Sequence, residues 1–544
     1  MPDKTVKKYL SLHLPSVLLL LLLMLLGGLY SVWLGIDVNF DLLNYHLYNP
    51  YALLNGKIGQ DVFAAGVHSA LNPLPDVYLY GLFSAFFNSP KWIGFFMGLP
   101  YGVLIWLVYR LARDVFSRTQ YPKTYAAVAA FIGCSAAGIM SQVGTSTNEI
   151  PLAVFHILAF WLLLRAVQQP QKTYGVYMAA LLSGATAGLK LTGASCCVAL
   201  TAVLLVYLTR FKKPGKVFML YALCGILGFL LTNGYFMWQN FTLYGNPVFP
   251  YYNTVFHSPY FDNVNVTETR FFPTTWAQWL FYPFFWAFAP GTYVSEAPVQ
   301  DSRLALFLAA LAGWGILIAK NKLGGVKKEA AVSVAVYSGV GYVVWLVQFS
   351  ILRYAAVLEA LCGLVVVGVC AAIHKTRWGG YAALLCVGIS MWGYQAPDWH
   401  HEMFLEQAVI FDKKPKIEDN SLVFFMHLPS SYLAPLLNPK AVYMGGFLSK
   451  PEEYPEQFRR QAAQRNNISA QYYRFRFEEL QRDKIARHQG PIYIVSVDWP
   501  MIVNPATLAR FGLKGKREDC QRFVTNFTVY SKDLAICRVQ KIDE

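Results

Sequence analysis

Charge is what this sequence has little of: Asp, Glu, Lys and Arg make up only 14% of its 544 residues, against 55% apolar residues. A chain so poor in charge cannot cover itself with a solvated surface, and its mean hydropathy of +0.35 reads as a polytopic membrane protein. Its C-terminal part carries neither metal-ligand spacing nor a phosphate loop, and the chain has no internal repeat or low-complexity linker. Cysteine is also sparse. Seven of the nine thiols fall in apolar runs, leaving Cys520 and Cys537 alone near the C-terminus. These two are expected to pair, which requires an oxidising compartment such as a periplasm; closing such a loop contributes about 3 kcal/mol in the chain-entropy picture.

What is present is a series of long apolar segments. The uncharged run Leu14–Leu34 exceeds the ~20 residues that cross hydrocarbon, and its length and the spans behind it argue against a cleaved signal peptide. Further spans are expected near 92–109, 123–141, 150–168, 174–193, 194–209, 217–238, 303–319, 331–350, 354–373 and 379–395, about eleven in all. Basic residues alternate between the loops. Lys4, Lys7 and Lys8, Arg110 and Arg113, Arg210 to Lys216, Lys320 to Lys328, and Lys375 and Arg377 all fall on one side. The positive-inside rule makes that side the cytoplasm, with the N-terminus inside and the tail from about Gln395 outside. The net charge of +15 is therefore topological, and no nucleic-acid partner is implied.

Residues 1–395 read as the transmembrane domain, with large outer loops at 37–91 and 239–303, and residues 396–544 as a soluble α/β domain. In the tail, SLVFFMH, KAVYMGG, PIYIVSVD and LAICRVQK have strand character, and Glu456–Arg465 and Gln471–His488 that of polar helices. The His400–His401 pair is read as solvated.

The ionisable groups near the membrane converge on the outer face. NFDLLNYHLYNPYALLNGK, residues 39–57, follows the first span and brings Asp41, Asn44, Tyr45 and His46 to its mouth; Asp37, Asp61, His68 and Asp76 share that loop. GTSTNEIP supplies Asn148 and Glu149, GLKLTG supplies Lys190, and Arg353 opens a late span in LRYAAVLE. An ionisable group at membrane depth costs at least ~2.5 kcal/mol unless it lines a wet or ligand-filled cavity, so several on one face suggest a shared one. Lys190 and Arg353 have the chemistry of an anion clamp. A polyprenyl-phosphate sugar suits it: chain in lipid, phosphate on the cations, sugar toward the carboxylates. Because the leaving group is a stable phosphate, one carboxylate suffices, taking the proton of an acceptor hydroxyl that attacks the anomeric carbon from the opposite face and inverts it.

These residues resemble the GT-C superfamily of polyprenyl-phosphate-dependent glycosyltransferases. FDLLNYHL is similar to the D-x-x-x-Y-H-L pattern of bacterial members, STNEI to their S-x-N-D, and NGYFMWQNFTLYGNPVFP to their R-N-x4-G-N-P-V-x-P; GLKLTG and LRY complete the order. The resemblance covers most of the chain. It implies Asp41 as catalytic base, Glu149 as a second acidic residue of the site, and Lys190 and Arg353 as phosphate contacts, with Tyr45, His46, Asp37 and Asn148 around the substrate. It also implies the bacterial inner membrane and a glycan, lipid or protein acceptor. Glu149 stands where many relatives have Asp, and Gln239 where they have Arg, which bears on donor placement. No cofactor is expected, although Asp37, Asp41 and Glu149 could hold a divalent ion if they converged.

Other roles stay open at this point. Asp41 also reads as the N-cap of a short helix Leu42–Asn49, with Asp37 as the alternative base. Glu149 reads equally as a cap of the span behind it, and Lys190 and Arg353 as snorkelling cations. GNPVFP is a turn by composition, and WAQWLFYPFFWAF, residues 276–288, a re-entrant or interfacial element. A flippase would place ionisable groups through the midplane and on both faces; a polysaccharide polymerase or ligase would share the clamp but explains the carboxylate-rich first loop less well.

Overall fold

The computed structural model describes residues 4–373, 377–426, 429–445, 477–496, 505–528 and 533–542. The expected helix Glu456–Arg465 and the start of Gln471–His488 lie outside the described residues. The remainder of the latter forms the helix Glu478–Arg487.

The expected spans are helical over most of their length, because backbone in lipid has no other way to pair within one segment. Among the described residues seven helices are long and apolar enough to cross a membrane; Tyr174–Leu189, Arg303–Ala319 and Trp378–Met391 are shorter and apolar. The chain is a multi-pass membrane protein. The expected span 123–141 is not continuous: its helix ends at Cys134, Ala136 is extended, and a single turn, Ala137–Met140, follows. The break has an electrostatic cause. The amide of Ala137 donates to Asp301 Oδ2 at 2.7 Å and that of Gly138 to Glu359 Oε1 at 3.1 Å, so two carboxylates hold amides that a continuous helix would have turned inward.

By their contacts the residues fall into two units. One comprises 1–34, 94–233 and 271–399. Inside it, helices meet backbone to backbone through small residues: a Cβ at Gly133 would lie 2.3 Å from the carbonyl oxygen of Ala360, and one at Gly363 2.0 Å from that of Ala129. Arg303 is completely buried there and paired with Asp301 at 3.0 Å; it also donates to the carbonyl of Ile132 and to Ser135 Oγ. The aromatic stretch after residue 275 forms the short helix Trp276–Phe281 and a 3-10 turn, with Trp276 and Phe281 exposed and Tyr282 and Trp286 buried.

The other unit comprises 35–93, 234–270 and 400–544. Its strands are β1 (Ile36–Asp37), β2 (His401–Glu402), β3 (Leu422–Phe425), β4 (Val442–Gly445), β5 (Ile492–Ser496), β6 (Leu513–Lys514), β7 (Cys520–Val524) and β8 (Asp533–Lys541). The main sheet runs β4-β3-β5-β8, with β6 and β7 both paired to β8. β3 is parallel to β4 and β5, and both β3 and β5 are buried at every residue, which is why they read as unbroken apolar runs. Cys520 and Cys537 face each other across β7 and β8 and form the expected disulfide.

The sequence reading drew one boundary, at 395/396, and left 37–91 with the membrane part. The contacts instead group that loop with the tail. β1 pairs antiparallel with β2, Lys57 Nζ donates to the carbonyl of Ala441 at 2.8 Å, and Val62 bridges to Met444. Asp61 fastens the same seam, accepting from the Tyr443 amide and the Tyr48 hydroxyl, each at 2.9 Å. Burial pushes the Asp61 carboxyl up from 3.8 to about 6, against the opposing pull of these two donors and of Lys57.

Two expectations follow from these seams. Asp301→Ala leaves Arg303 buried without its counter-charge and should cost about 3–5 kcal/mol, much of it recovered by adding Arg303→Met; thermal unfolding in detergent checks this, and an Asp301→Ala melt like wild type would contradict it. The second concerns pH. Between about pH 4 and 6 the folded chain holds a proton on Asp61 that the unfolded chain has lost, so stability of this unit should fall as pH rises through that window. Asp61→Asn should flatten the slope in melts followed by near-ultraviolet circular dichroism. A midpoint that climbs from pH 4 to 6 would show that the carboxylate is stabilised instead.

Candidate functional site

The first-loop residues owe their placement to two side chains at its start. Asp37, buried, accepts from the Asn39 amide and side chain at 2.9 and 3.0 Å, and Asn39 Oδ1 in turn accepts from the Leu42 amide at 2.7 Å. Asn39, rather than Asp41, therefore caps the following turn. The expected helix Leu42–Asn49 is a π-helical turn, Leu42–His46, followed by the helix Tyr48–Leu54. Asp41 is partly exposed where Leu42 to Ala52 are all buried, so it is the residue of this turn that keeps access to solvent or ligand.

Behind it lies a buried polar layer. His46 Nδ1 is 2.7 Å from Asp76 Oδ1, both side chains being 3% exposed, and His46 Nε2 has no protein partner. The carboxylate fixes the ring's orientation. Tyr45 stacks on His68, with ring centroids 5.1 Å apart, and Asn44 Nδ2 lies 3.1 Å from His68 Nδ1. Farther along, the GNPVFP turn is structural: buried Asn246 donates to the carbonyl of Tyr251 and accepts from the Val248 amide.

The span-end residues belong to the other unit. Gln142 organises their loop, donating to the carbonyl of Gly138 at 2.7 Å and accepting from Thr147 Oγ1 at 3.0 Å. Asn148, at a φ of 67° that Asn tolerates better than most residues, turns the chain into the helix Glu149–Gln168. The Thr147 carbonyl is thereby aimed at Lys190 Nζ, 2.8 Å away, and Lys190 also pairs with the buried carboxylate of Glu149. Lys190 thus grips Glu149 instead of snorkelling, and Glu149 holds a lysine rather than capping its helix.

Both cations share one aromatic neighbour. Lys190 Nζ is 5.5 Å and the Arg353 guanidinium carbon 5.2 Å from the ring centroid of Tyr354. The structure brings Lys190 and Arg353 together at this ring, with Glu149 on Lys190. Sequence reasoning missed Tyr354 as a site residue, although LRY was in hand, and missed Asp76 as the partner of His46. It also missed the cluster Asp301, Arg303 and Glu359, whose signal was an acid inside an apolar span. Among the described residues no three His, Cys, Asp or Glu side chains gather in a way that could hold a metal ion.

Residues 72–238 match the family described as dolichyl-phosphate-mannose-protein mannosyltransferase. The matched stretch holds Asn148, Glu149 and Lys190 but neither Asp41 nor Arg353. No curated protein sequence matches the chain. Among solved structures it is similar to arabinofuranosyltransferase AftD from Mycobacteria at 12% identity and a TM-score of 0.42, covering 96% of this chain but only 40% of that one, a likeness too loose to carry functional argument. The match takes in STNEI and GLKLTG, while the first-loop motif and LRY lie outside it.

Proposed function

We propose that the chain transfers a sugar from a polyprenyl-phosphate donor to a hydroxyl of a glycan, lipid or protein at the periplasmic face of a bacterial inner membrane, its N-terminus in the cytoplasm. The observation that carries this reading is the meeting of Lys190 and Arg353 on Tyr354, with Glu149 paired to Lys190, at the ends of apolar spans. Two cations against one carboxylate leave the cluster net positive, which suits an anionic ligand. The dolichyl-phosphate-mannose of the matched family's description is a donor of the same chemical kind.

Asp41 takes the proton of the acceptor hydroxyl as its oxygen bonds to the anomeric carbon. The bond from that carbon to the phosphate oxygen breaks on the opposite face, inverting the configuration, and the phosphate leaves with one more negative charge. Arg353 offers a planar fork to that growing charge. Lys190, already held by Glu149 and the Thr147 carbonyl, supplies a fixed positive charge beside it. Asp37 orders the turn through Asn39, while Tyr45, His46 and Asn148 shape the substrate's surroundings. The scheme assigns no metal: Lys190 and Arg353 against Glu149 leave one net positive charge beside the leaving phosphate.

Asp41→Asn should lower transfer by about 10²–10⁴-fold, the usual range for a lost general base, with donor affinity retained. Wild-type turnover in Asp41→Asn together with an inactive Asp37→Asn would move the base to Asp37. Arg353→Lys should weaken both donor binding and the single-turnover rate, and Arg353→Ala more so, since a point charge does not replace a fork. Free exchange of Arg353 for Lys would remove the clamp from the account. A chelator should leave the rate unchanged; loss restored by manganese would assign a metal after all.

A further inference from the structure

At the end of the spans that the positive-inside reading puts in the cytoplasm, away from the proposed chemistry, lies a cavity of ≈ 1050 Å³. Arg118, Arg210, Lys322, Lys327 and Lys328 line it against a single carboxylate, Glu329, which is already paired with Arg210 at 3.1 Å. Its wall is a tight turn. Gly324 and Gly325 have φ of 55° and 99°, and a Cβ on either would meet the carbonyl oxygen of Ala371 at 2.3 Å or of Arg118 at 2.6 Å. Asn321 also has a positive φ, of 52°. The turn therefore closes on its neighbours, and the cations around it stand about a preformed hollow.

Orientation alone calls for basic residues in these loops but not for a cavity among them. Four spans meet at the hollow: the helix Glu149–Gln168 reaches it, Lys328–Gln348 starts beside it, and it is bounded by the loop after Arg303–Ala319 and by Ala372 near the end of Ala356–Ile373. The positive-inside reading sets these span ends at the cytoplasmic surface, where lipid phosphates lie. Leu323, Val326 and Ala372 add an apolar part to its lining. Basic pockets between membrane helices on the cytoplasmic side recognise phosphate headgroups through such a combination.

We propose that this cavity is a lipid site, taking the headgroup of an anionic lipid that carries two phosphates. Its volume is generous for one phosphate, and with Arg210 paired to Glu329 the other four cations can neutralise two.

The test separates binding from orientation. The paired substitution Gln169→Glu with Asn321→Asp puts carboxylates into the lining while leaving every Lys and Arg in place, and acidic residues contribute little to orientation. Asp tolerates the positive φ of Asn321. With the purified full chain in detergent, a glycerolipid bearing two phosphates should raise the melting temperature and stay bound in native mass spectrometry, and zwitterionic phosphatidylcholine should do neither. The paired variant should lose at least tenfold in affinity. A second variant, Lys327→Gln with Lys328→Gln, should do the same and does not depend on the first one folding. Wild-type binding by either folded variant, or equal retention of phosphatidylcholine, would overturn the proposal. So would an equal stabilisation by inorganic pyrophosphate alone, which would assign the cavity to a soluble anion.

Discussion

A charge held at hydrocarbon depth has to meet an opposite charge, a hydrogen-bond donor or a polar ligand, because water is not there to solvate it. The span-rich unit is organised around that constraint. Arg303 is buried completely and is tolerated because Asp301, the Ile132 carbonyl and Ser135 take its donors. Asp301 and Glu359 then reach the amides of Ala137 and Gly138, and the interruption after Cys134 follows. Lys190 meets the same requirement through Glu149 and the Thr147 carbonyl. One network shapes the helices, and the other sets a pair of cations on Tyr354.

The second unit solves a different problem, that of holding a long loop still. A loop of this size is costly to order by itself. Here its first residues pair with β2, Lys57 and Asp61 fasten it to Ala441 and Tyr443, and Phe63 stacks on Phe477 at 3.5 Å between centroids. Asp37 and Asn39 then fix the turn that presents Asp41. The tail that looked in sequence like an appended domain is, in its contacts, the support of the loop that carries the proposed base.

What could be read from the sequence was whatever depends on short-range pattern. Uncharged runs of sufficient length became helices, the strands of the tail appeared where apolar runs were short, and the two cysteines outside the spans found each other. Pairings between distant residues could not be read. Nothing local tells that Lys190 will grip a carboxylate 41 residues earlier, that His46 will meet Asp76 across 30 residues, or that Gly138 will donate to Glu359 across 221. The same limit explains the helix expected at Leu42–Asn49: Asp41 has the right type for a cap, but Asn39 holds the bond, and only the backbone's course decides between them.

The central claim is a single-displacement transfer in which one carboxylate activates the acceptor and the phosphate leaves from the other face. Its stereochemistry is the most direct witness. With a polyprenyl-phosphate sugar of known anomeric configuration, the proton NMR spectrum of the product, taken early in the reaction, should show the opposite anomer. A product of the same anomeric configuration as the donor would require a covalent or dissociative route and would contradict the roles given to Asp41 and Arg353.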